Sequence, residues 1–404
     1  MNENKNVPEL RFSGFEGDWQ NLLLGQVAKF SKGKGISKSD ISENGCHECI
    51  RYGELYTDYG EKIEHIISST NLEAKELVFS EKSDVIIPAS GETAIDIATA
   101  SCVLRDNVAL GGDLNIIKHH QDGVFLAYYL NNKKKLDIAK FAQGNSVVHL
   151  YSSQLRLLML NLPALSEQQK ISDFLSAVDK KIEQLTEKHR LLTQYKKGVM
   201  QQIFSQQIRF KDDVGNEYPE WEEKRLGKVG IIVGGGTPET SQSSYWGGDI
   251  LWFTPTEIKQ KYISKSIRTL SEEGLKKSSA KLLPVGSLLL TTRATIADVS
   301  IAIKECTTNQ GFQSIIVNDQ NDNEFLYYWI LNNRKKFIRK ASGSTFPEIS
   351  KQEVEKIEGV FPQKEEQQKI ADFLTAIDNK IDQAWSKLEQ TKAFKKGLLQ
   401  TMFV

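Results

Sequence analysis

Cys46-His47-Glu48-Cys49 sets two thiols around an imidazole and a carboxylate, which is the spacing of half a zinc site. Cys102 and Cys306 stand singly elsewhere, so no second half completes it, and the pair reads as ordinary cysteines in a polar loop. Gly234-Gly235-Gly236-Thr237-Pro238 is glycine-rich like a phosphate cradle. It lacks the G-x-x-x-x-G-K-[ST] pattern, and Pro238 stops a helix from opening there, so it reads as a turn. Glu73-Ala74-Lys75 has the acid–base triplet of a nuclease, yet 26% of the chain is charged and such triplets usually lie on solvated helix faces. Asn161-Leu162-Pro163 falls short of the Asn-Pro-Pro-aromatic string an adenine methyltransferase needs. Neither G-x-S-x-G nor H-E-x-x-H occurs. His119-His120 reads as a surface pair, and His149 and His189 as structural.

Catalysis thus finds no starting point, and recognition does. Side chains that read base edges or hold phosphates collect in turn-rich stretches. In the first half these are Lys32, Lys34, Arg51, Tyr52, Ser90, Thr93 and Asn145; in the second, Thr237, Trp252, Thr254, Thr256, Arg293, Thr295, Ser344 and Thr345. Trp252 and Phe346 are equally suited to a core. Arg293 follows the apolar run 288–292, where a strand should end in a loop.

The elements that must position these residues are written twice. Residues 163–204 and 362–403 align without a gap at an offset of 199, with 20 of 42 positions identical. Arg11-Phe12, Trp19 and Leu24-Gly25 match Arg209-Phe210, Trp221 and Leu226-Gly227; Leu130-Asn131-Asn132 matches Leu331-Asn332-Asn333. Leu175, Val178, Ile182 and Leu185, with Leu374, Ile377, Ile381 and Leu388, belong to seams of three- and four-residue steps, as in a coiled coil. Ser166 to Gln169 has the form of a capping box. Neither helix can bury its seam alone, so antiparallel pairing of the two is expected. Short apolar runs at 84–88, 115–118, 287–290 and 314–317 read as buried strands, and 125–136 and 325–337 as amphipathic helices. The expected fold is therefore mixed α/β (α+β). Two globular recognition domains (1–160 and 208–360) are each followed by a long helix (161–207 and 361–404), in an internal pseudo-two-fold repeat. Residues 205–224 read as a link.

The chain of 404 residues has 52 basic and 52 acidic side chains. Residues 1–160 carry 17 basic against 21 acidic, and residues 208–360 carry 21 against 20, so neither globular part is a basic domain. No apolar stretch is long enough for a membrane helix. The start has no signal pattern, and four cysteines make no disulfide scaffold, so a cytoplasmic protein is expected.

The layout resembles the specificity subunits of type I restriction–modification systems. The resemblance rests on Glu167-Gln168-Gln169-Lys170-Ile171 and Glu366-Gln367-Gln368-Lys369-Ile370, on Phe174-Leu175 and Phe373-Leu374, on Asp179–Ile182 and Asp378–Ile381, and on Lys196–Gly198 and Lys395–Gly397. Gly236-Thr237-Pro238 followed by 249–252 looks like the start of a target recognition domain; the first unit departs from this, with Gly33-Lys34-Gly35 lacking Thr-Pro and Arg51-Tyr52 standing near the place of Trp252. The resemblance implies a non-catalytic subunit without cofactor or metal. Each domain would read one half of a bipartite, asymmetric double-stranded DNA site, with the helices as ruler and docking surface. It also implies two methyltransferase subunits carrying S-adenosylmethionine and two restriction–translocase subunits using ATP and Mg. A two-unit DNA-binding regulator and a protein-binding scaffold are the alternatives.

Overall fold

The apolar runs become strands of two sheets with one topology. The computed structural model describes residues 6–144, 147–343 and 347–404. They fall into two units, one of Met1–Thr186 with Ser386–Val404, the other of Glu187–Trp385. In the first unit Ala28–Lys32 (β1), Lys62–Ile63 (β2), Val85–Pro88 (β3), Ser101–Val103 (β4) and Leu114–His119 (β5) pair in the order β1-β5-β3-β4-β2. In the second, Gly230–Gly234 (β6), Tyr262–Ile263 (β7), Leu288–Leu290 (β8), Val299–Ala302 (β9) and Gln313–Val317 (β10) pair in the same order, β6-β10-β8-β9-β7. Ile86, Ile87, Ile116 and Ile117 are all fully buried, so both faces of the first sheet are covered. A three-stranded sheet sits beside each: 47–50, 68–70 and 109–110, and 246–253, 268–270 and 306–308.

Each sheet is backed by a helix, Gly123–Asn132 (α1) and, in the second unit, Asn323–Asn332 (α3). Asp122 and Asp322 cap them by accepting the amide protons of Phe125 and Phe325 at 2.7 and 2.8 Å. The single helices expected over 125–136 and 325–337 are broken, since separate helices follow at Lys135–Phe141 and Arg334–Lys340. Asn132 and Asn333 donate back to the carbonyls of Tyr128 and Trp329, the local side-chain bonding that ends helices. The caps also revise the expected alignment. Asp122 pairs with Asp322, Phe125 with Phe325 and Tyr128 with Tyr328, so the Leu-Asn-Asn strings are one residue out of step.

The repeated helices are Leu165–Phe204 (α2) and Lys364–Thr401 (α4). The Ser166 capping box does not form. The first turn opens at Leu165, the amides of Glu167 and Gln168 donate to the carbonyl of Ala164, and Gln169 bonds Asp173. Glu167 and Gln168 instead fasten the helix to its own unit. Glu167, 1% exposed, accepts two bonds of 2.8 Å from Arg11. Gln168 accepts the amide proton of Asp122 and donates to the carbonyl of Pro163. In the second unit Arg209 bonds Glu366 at 2.9 and 3.0 Å, and Gln367 holds Asp322 and Pro362 in the same way. Residues 205–224 are accordingly more than a link: Phe210 packs on Phe373, and Trp221 donates its indole proton to Glu366.

The seams are buried within each unit. Leu175 and Val178 near the start of α2 share a core with Leu398, Met402 and Phe403 at the end of the chain. In the second unit Val199 and Ile203 at the end of α2 share one with Ile370, Leu374 and Ile377 at the start of α4. Start packs on end in both, so the helices run antiparallel. One polar junction accompanies each core. Asp179 accepts from Tyr128 and lies 2.8 Å from Lys395, whose ammonium stands 5.3 Å from the Tyr128 ring centroid. In the second unit Asp378 takes Tyr328 at 2.6 Å and Lys196 at 2.5 Å, with Lys196 over the Tyr328 ring. Burial, followed by the carboxylate bond, pushes both phenols far up, so they stay protonated donors. Arg209→Met leaves the fully buried Glu366 without its cation and should lower the stability of the second unit by roughly 3 kcal/mol. Adding Glu366→Met should restore most of that, which chemical denaturation of both variants checks.

Candidate nucleic-acid interface

Sheet topology decides which loops meet. β5 is antiparallel to both its neighbours, with Asn115 opposite Lys32 and Leu114 opposite Pro88. The chain therefore leaves β1 and β3 and enters β5 at one end of the sheet, which brings 33–37, 89–93 and 111–113 together. Leu150 donates to Ala89 and Ala89 to Asp113, adding the 147–151 segment. In the second unit Gly234 stands opposite Gln313 and Thr291 opposite Phe312, so 235–238, 291–297 and 309–312 share the corresponding end. The glycines there allow close approach: a Cβ on Gly33 or Gly235 would lie 1.9 Å from the carbonyl oxygen of Gly111 or Asn309.

This end gathers part of the expected set in the first unit. Arg51 and Tyr52 line a cleft of about 530 Å³ with Ser37, Lys38, Gly112 and Asp113. Lys32 and Lys34 are exposed, with Lys32 5.9 Å from the ring centroid of Tyr151, and Tyr151 stacks on His149. Tyr52 and Tyr56 are exposed and meet edge to face. Ser90 is 7% exposed and strand-paired with His149, which makes it scaffold. Thr93 caps a helical turn by accepting from the Asp96 amide and donating to its carboxylate. Asn145 lies outside the described residues, as do Ser344, Thr345 and Phe346.

In the second unit Thr237 bonds Gln310 at the sheet end, Thr256 is exposed, and Thr254 donates to Glu257. Arg293 is exposed and paired with Glu348 at 2.7 Å, so a base contact there would exchange that partner. Ala294 and Ala297 adopt positive φ of 61° and 62°, a costly backbone for alanine, in the loop that carries Arg293 and Thr295. The hydroxyl of Thr295 is buried without a partner among the described residues. Trp252, 5% exposed, donates its indole proton to the carbonyl of Gly236 and is a core residue. Trp252→Phe should cost about 1 kcal/mol of stability through that bond and leave any sequence preference unchanged, checked by melting and by binding.

Pairing with the parallel strands also corrects the expected correspondence. Lys34 donates to Leu110 and Gly236 to Thr308, while Ile50 pairs with Leu110 and Phe253 with Thr308. Cys49, not Arg51 or Tyr52, therefore holds the place of Trp252, and Arg51 corresponds to Thr254. By the same register buried Ile36 stands where the second unit has Pro238, so one apolar side chain fills the gap left by the missing Thr-Pro.

Some residues of this surface escaped the sequence. Glu54 and Glu257 each accept the amide proton three residues back, of Arg51 at 3.0 Å and Thr254 at 2.7 Å, and so shape the turn after the strand in both units. A carboxylate four residues beyond a strand end was the signal. Arg268 stacks 3.3 Å from the centroid of Trp246, which meets Trp252 edge to face; nothing local marks that pair. Cys46 is exposed while Cys49 is buried, and burial pushes the Cys49 thiol up to about 11. His47 packs on Phe79, and Glu48 pairs with Arg105. Of the expected surface pair His120 is exposed and His119 is half-buried: the Nδ1 of His119 accepts from the Gln121 amide, and burial holds its pKa below the usual value. His189 packs on Trp385. The seam residues Leu175, Val178, Leu185, Leu374, Ile377 and Leu388 are at most 8% exposed, and Ile182 and Ile381 pack against the same cores. They are used inside the chain and are not free to dock partners.

A family model described as the type I restriction modification DNA specificity domain matches residues 16–194 and again 218–391. The type I restriction enzyme MjaIX specificity subunit of Methanocaldococcus jannaschii is 37% identical over 203 residues, 49% of this chain and 46% of that one, so the match spans a little under half of that relative. The crystal structure of a type I restriction–modification S subunit from M. genitalium shares the fold with a TM-score of 0.63 at 15% identity, covering 98% of this chain and 99% of the other. A chain from a structural study of complex assembly and conformational transition of the type I R-M system aligns over 97% of this chain and 98% of its own, at a TM-score of 0.54 and 19% identity. Tyr52→Ala should weaken DNA binding several-fold, because it removes the exposed ring on the first unit's cleft; a fluorescence anisotropy titration of the assembled protein checks this.

Proposed function

The chain belongs to the type I restriction modification DNA specificity family, and from this premise we propose that it is the specificity subunit of a type I restriction–modification complex. Each unit reads one half of a bipartite, asymmetric site in double-stranded DNA. One observation carries this reading: two sheets of identical strand order present unlike side chains at the same end. Lys32, Arg51 and Tyr52 stand in one unit, and Thr237, Thr256, Arg268 and Arg293 in the other. Equal scaffolds with unequal surfaces suit two different half-sites.

The subunit is non-catalytic. Adenine methylation belongs to two methyltransferase subunits holding S-adenosylmethionine. Translocation and cleavage belong to two restriction subunits that use ATP and Mg. A cytoplasmic location fits four unpaired thiols. Charge explains why partners are needed. Residues 1–160 are net acidic, with 17 basic against 21 acidic side chains, so phosphate attraction contributes little affinity to the lone chain.

Two outcomes follow. Replacing residues 20–162 with the first unit of another family member should change one half of the methylated motif and spare the other, as read by methyladenine sequencing; change in both halves would defeat the modular reading. The isolated chain should bind DNA weakly at physiological salt and tightly only with methyltransferase subunits present. Nanomolar binding by the chain alone contradicts the reading.

A further inference from the structure

The densest run of positive charge lies in the second unit, outside the reading loops. The helix Arg334–Lys340 reads RKKFIRK, five cations in seven residues. Phe337 is buried beneath it, and Lys336, Arg339 and Lys340 are exposed. These three line a cleft of about 520 Å³ with Arg225 and Lys356, over a floor of buried Ile357. Two carboxylates answer the five cations of the cleft. Glu358 pairs with Arg225 at 2.9 Å, and Glu353 pairs with Lys356 at 3.1 Å and Lys340 at 3.4 Å. Lys336 donates to the carbonyl of Glu358 at 3.1 Å, and Arg339 makes no ion pair among the described residues. These pairs are all partly exposed, so an incoming anion exchanges them at little cost.

The fold does not require this charge, because the first unit builds the same place without it. Strand register sets Leu23 and Met159 where the second unit has Arg225 and Glu358. The helices Lys135–Phe141 and Arg334–Lys340 each bury their fourth residue, Ile138 and Phe337, so Asp137 and Phe141 stand for Lys336 and Lys340. Leu24 and Leu226 donate to the carbonyls of Leu158 and Ile357, so Leu157 stands for Lys356. Of the five cations only Arg339 has a like counterpart, Lys140. Like charges held together repel, so a cluster the scaffold can do without calls for an anion.

Its position says which anion. Two residues after Lys340, Ser342 exchanges backbone bonds with Glu348, the residue that holds Arg293 at the reading end. From there the seven-residue helix leads back along the flank by about 10 Å, at 1.5 Å per residue. A major groove is about 8.5 Å deep, so loops that reach its base edges bring such a flank against the phosphates that wall it. About 10 Å also spans three phosphates of one strand, at one charge per about 3.4 Å of axis. No aromatic ring lines the cleft for a base to stack on. We propose that this cleft grips consecutive backbone phosphates of one DNA strand beside the second half-site, with Arg339 as a two-pronged donor, and that the first unit has no such grip. The proposal rests on the specificity-subunit reading for its duplex. The charge is local, since residues 208–360 carry 21 basic against 20 acidic side chains, so the grip positions the duplex without making the lone chain a tight binder.

The test uses the full chain assembled with its methyltransferase subunits and a labelled duplex carrying its methylated motif, titrated by fluorescence anisotropy at several salt concentrations. Lys336→Gln, Arg339→Gln, Lys340→Gln and Lys356→Gln together should weaken binding about tenfold or more at physiological salt. They should also lower the slope of log affinity against log salt by about 3 to 4, at about 0.9 per phosphate contact. The loss should be equal on a scrambled duplex, and methyladenine sequencing should return the unaltered motif. Arg339→Gln alone breaks no ion pair among the described residues and should lower the slope by about 1, which a folding defect would not do. An unchanged slope overturns the proposal. So does a changed base in the second half-site, which would make these residues readers. If the four-change chain keeps its slope but loses a partner subunit in native mass spectrometry, the cleft serves an acidic protein surface and the proposal falls. An unaltered assembly that binds motif and scrambled duplex equally defeats the specificity-subunit reading, while the slopes still decide the cleft.

Discussion

A lysine from one long helix meets an aspartate from the other against a tyrosine ring, once in each unit: Lys395, Asp179 and Tyr128, and Lys196, Asp378 and Tyr328. Three elements come together at each of these points, α2, α4 and the helix that backs the sheet. The seam positions alone would let the long helices slide, because heptad spacing repeats. A half-buried carboxylate that must find both a phenol and an ammonium does not repeat, so it sets the register. The sheet end that carries the reading loops is placed on the helices through the same tyrosine. The two junctions differ in one partner. Glu61 stands 3.5 Å from Lys395 in the first unit, whereas the second has Lys261 at the corresponding place, bonded to Glu324, Tyr328 and Thr375.

The Glu-Gln-Gln strings do related work. Each glutamate takes an arginine from about 156 residues earlier, and each first glutamine closes the cap of the sheet-backing helix. The most repeated part of the chain is therefore a joint between a near-constant helix and a variable unit. That division lets the reading loops change freely: the partners of Arg11, Arg209, Asp122 and Asp322 lie away from the sheet end where Arg51, Tyr52, Thr237 and Arg293 sit. The acidic balance of residues 1–160 means that the first unit contributes little phosphate attraction of its own.

Much of this was legible in the sequence, and the misses have physical causes. The strands at 85–88 and 313–317 and the long helices announced themselves by apolar run and heptad spacing, which are local patterns. The Leu-Asn-Asn alignment failed by one residue because identical letters survive where a helix end absorbs an insertion, while the caps at Asp122 and Asp322 hold the true register. Ser166 missed its capping role because Ala164 already accepts the first amides. Ser90 and Trp252 have the right chemistry for reading DNA, but the sheet end and the Gly236 carbonyl claim them for the scaffold.

By itself the sequence determined that the chain is one design repeated and that its helices need each other, and it pointed to recognition. These follow from spacing and residue type, which are properties of neighbours along the chain. Only the tertiary structure decided which loops meet, that Cys49 rather than Arg51 stands in for Trp252, that Glu54 and Glu257 shape the turns after the strands, and that the seam is spent inside the chain. Each of those depends on strand pairing or burial between residues far apart in sequence. A side chain's type says what it can bind; only the packing around it says whether a partner inside the chain already holds it.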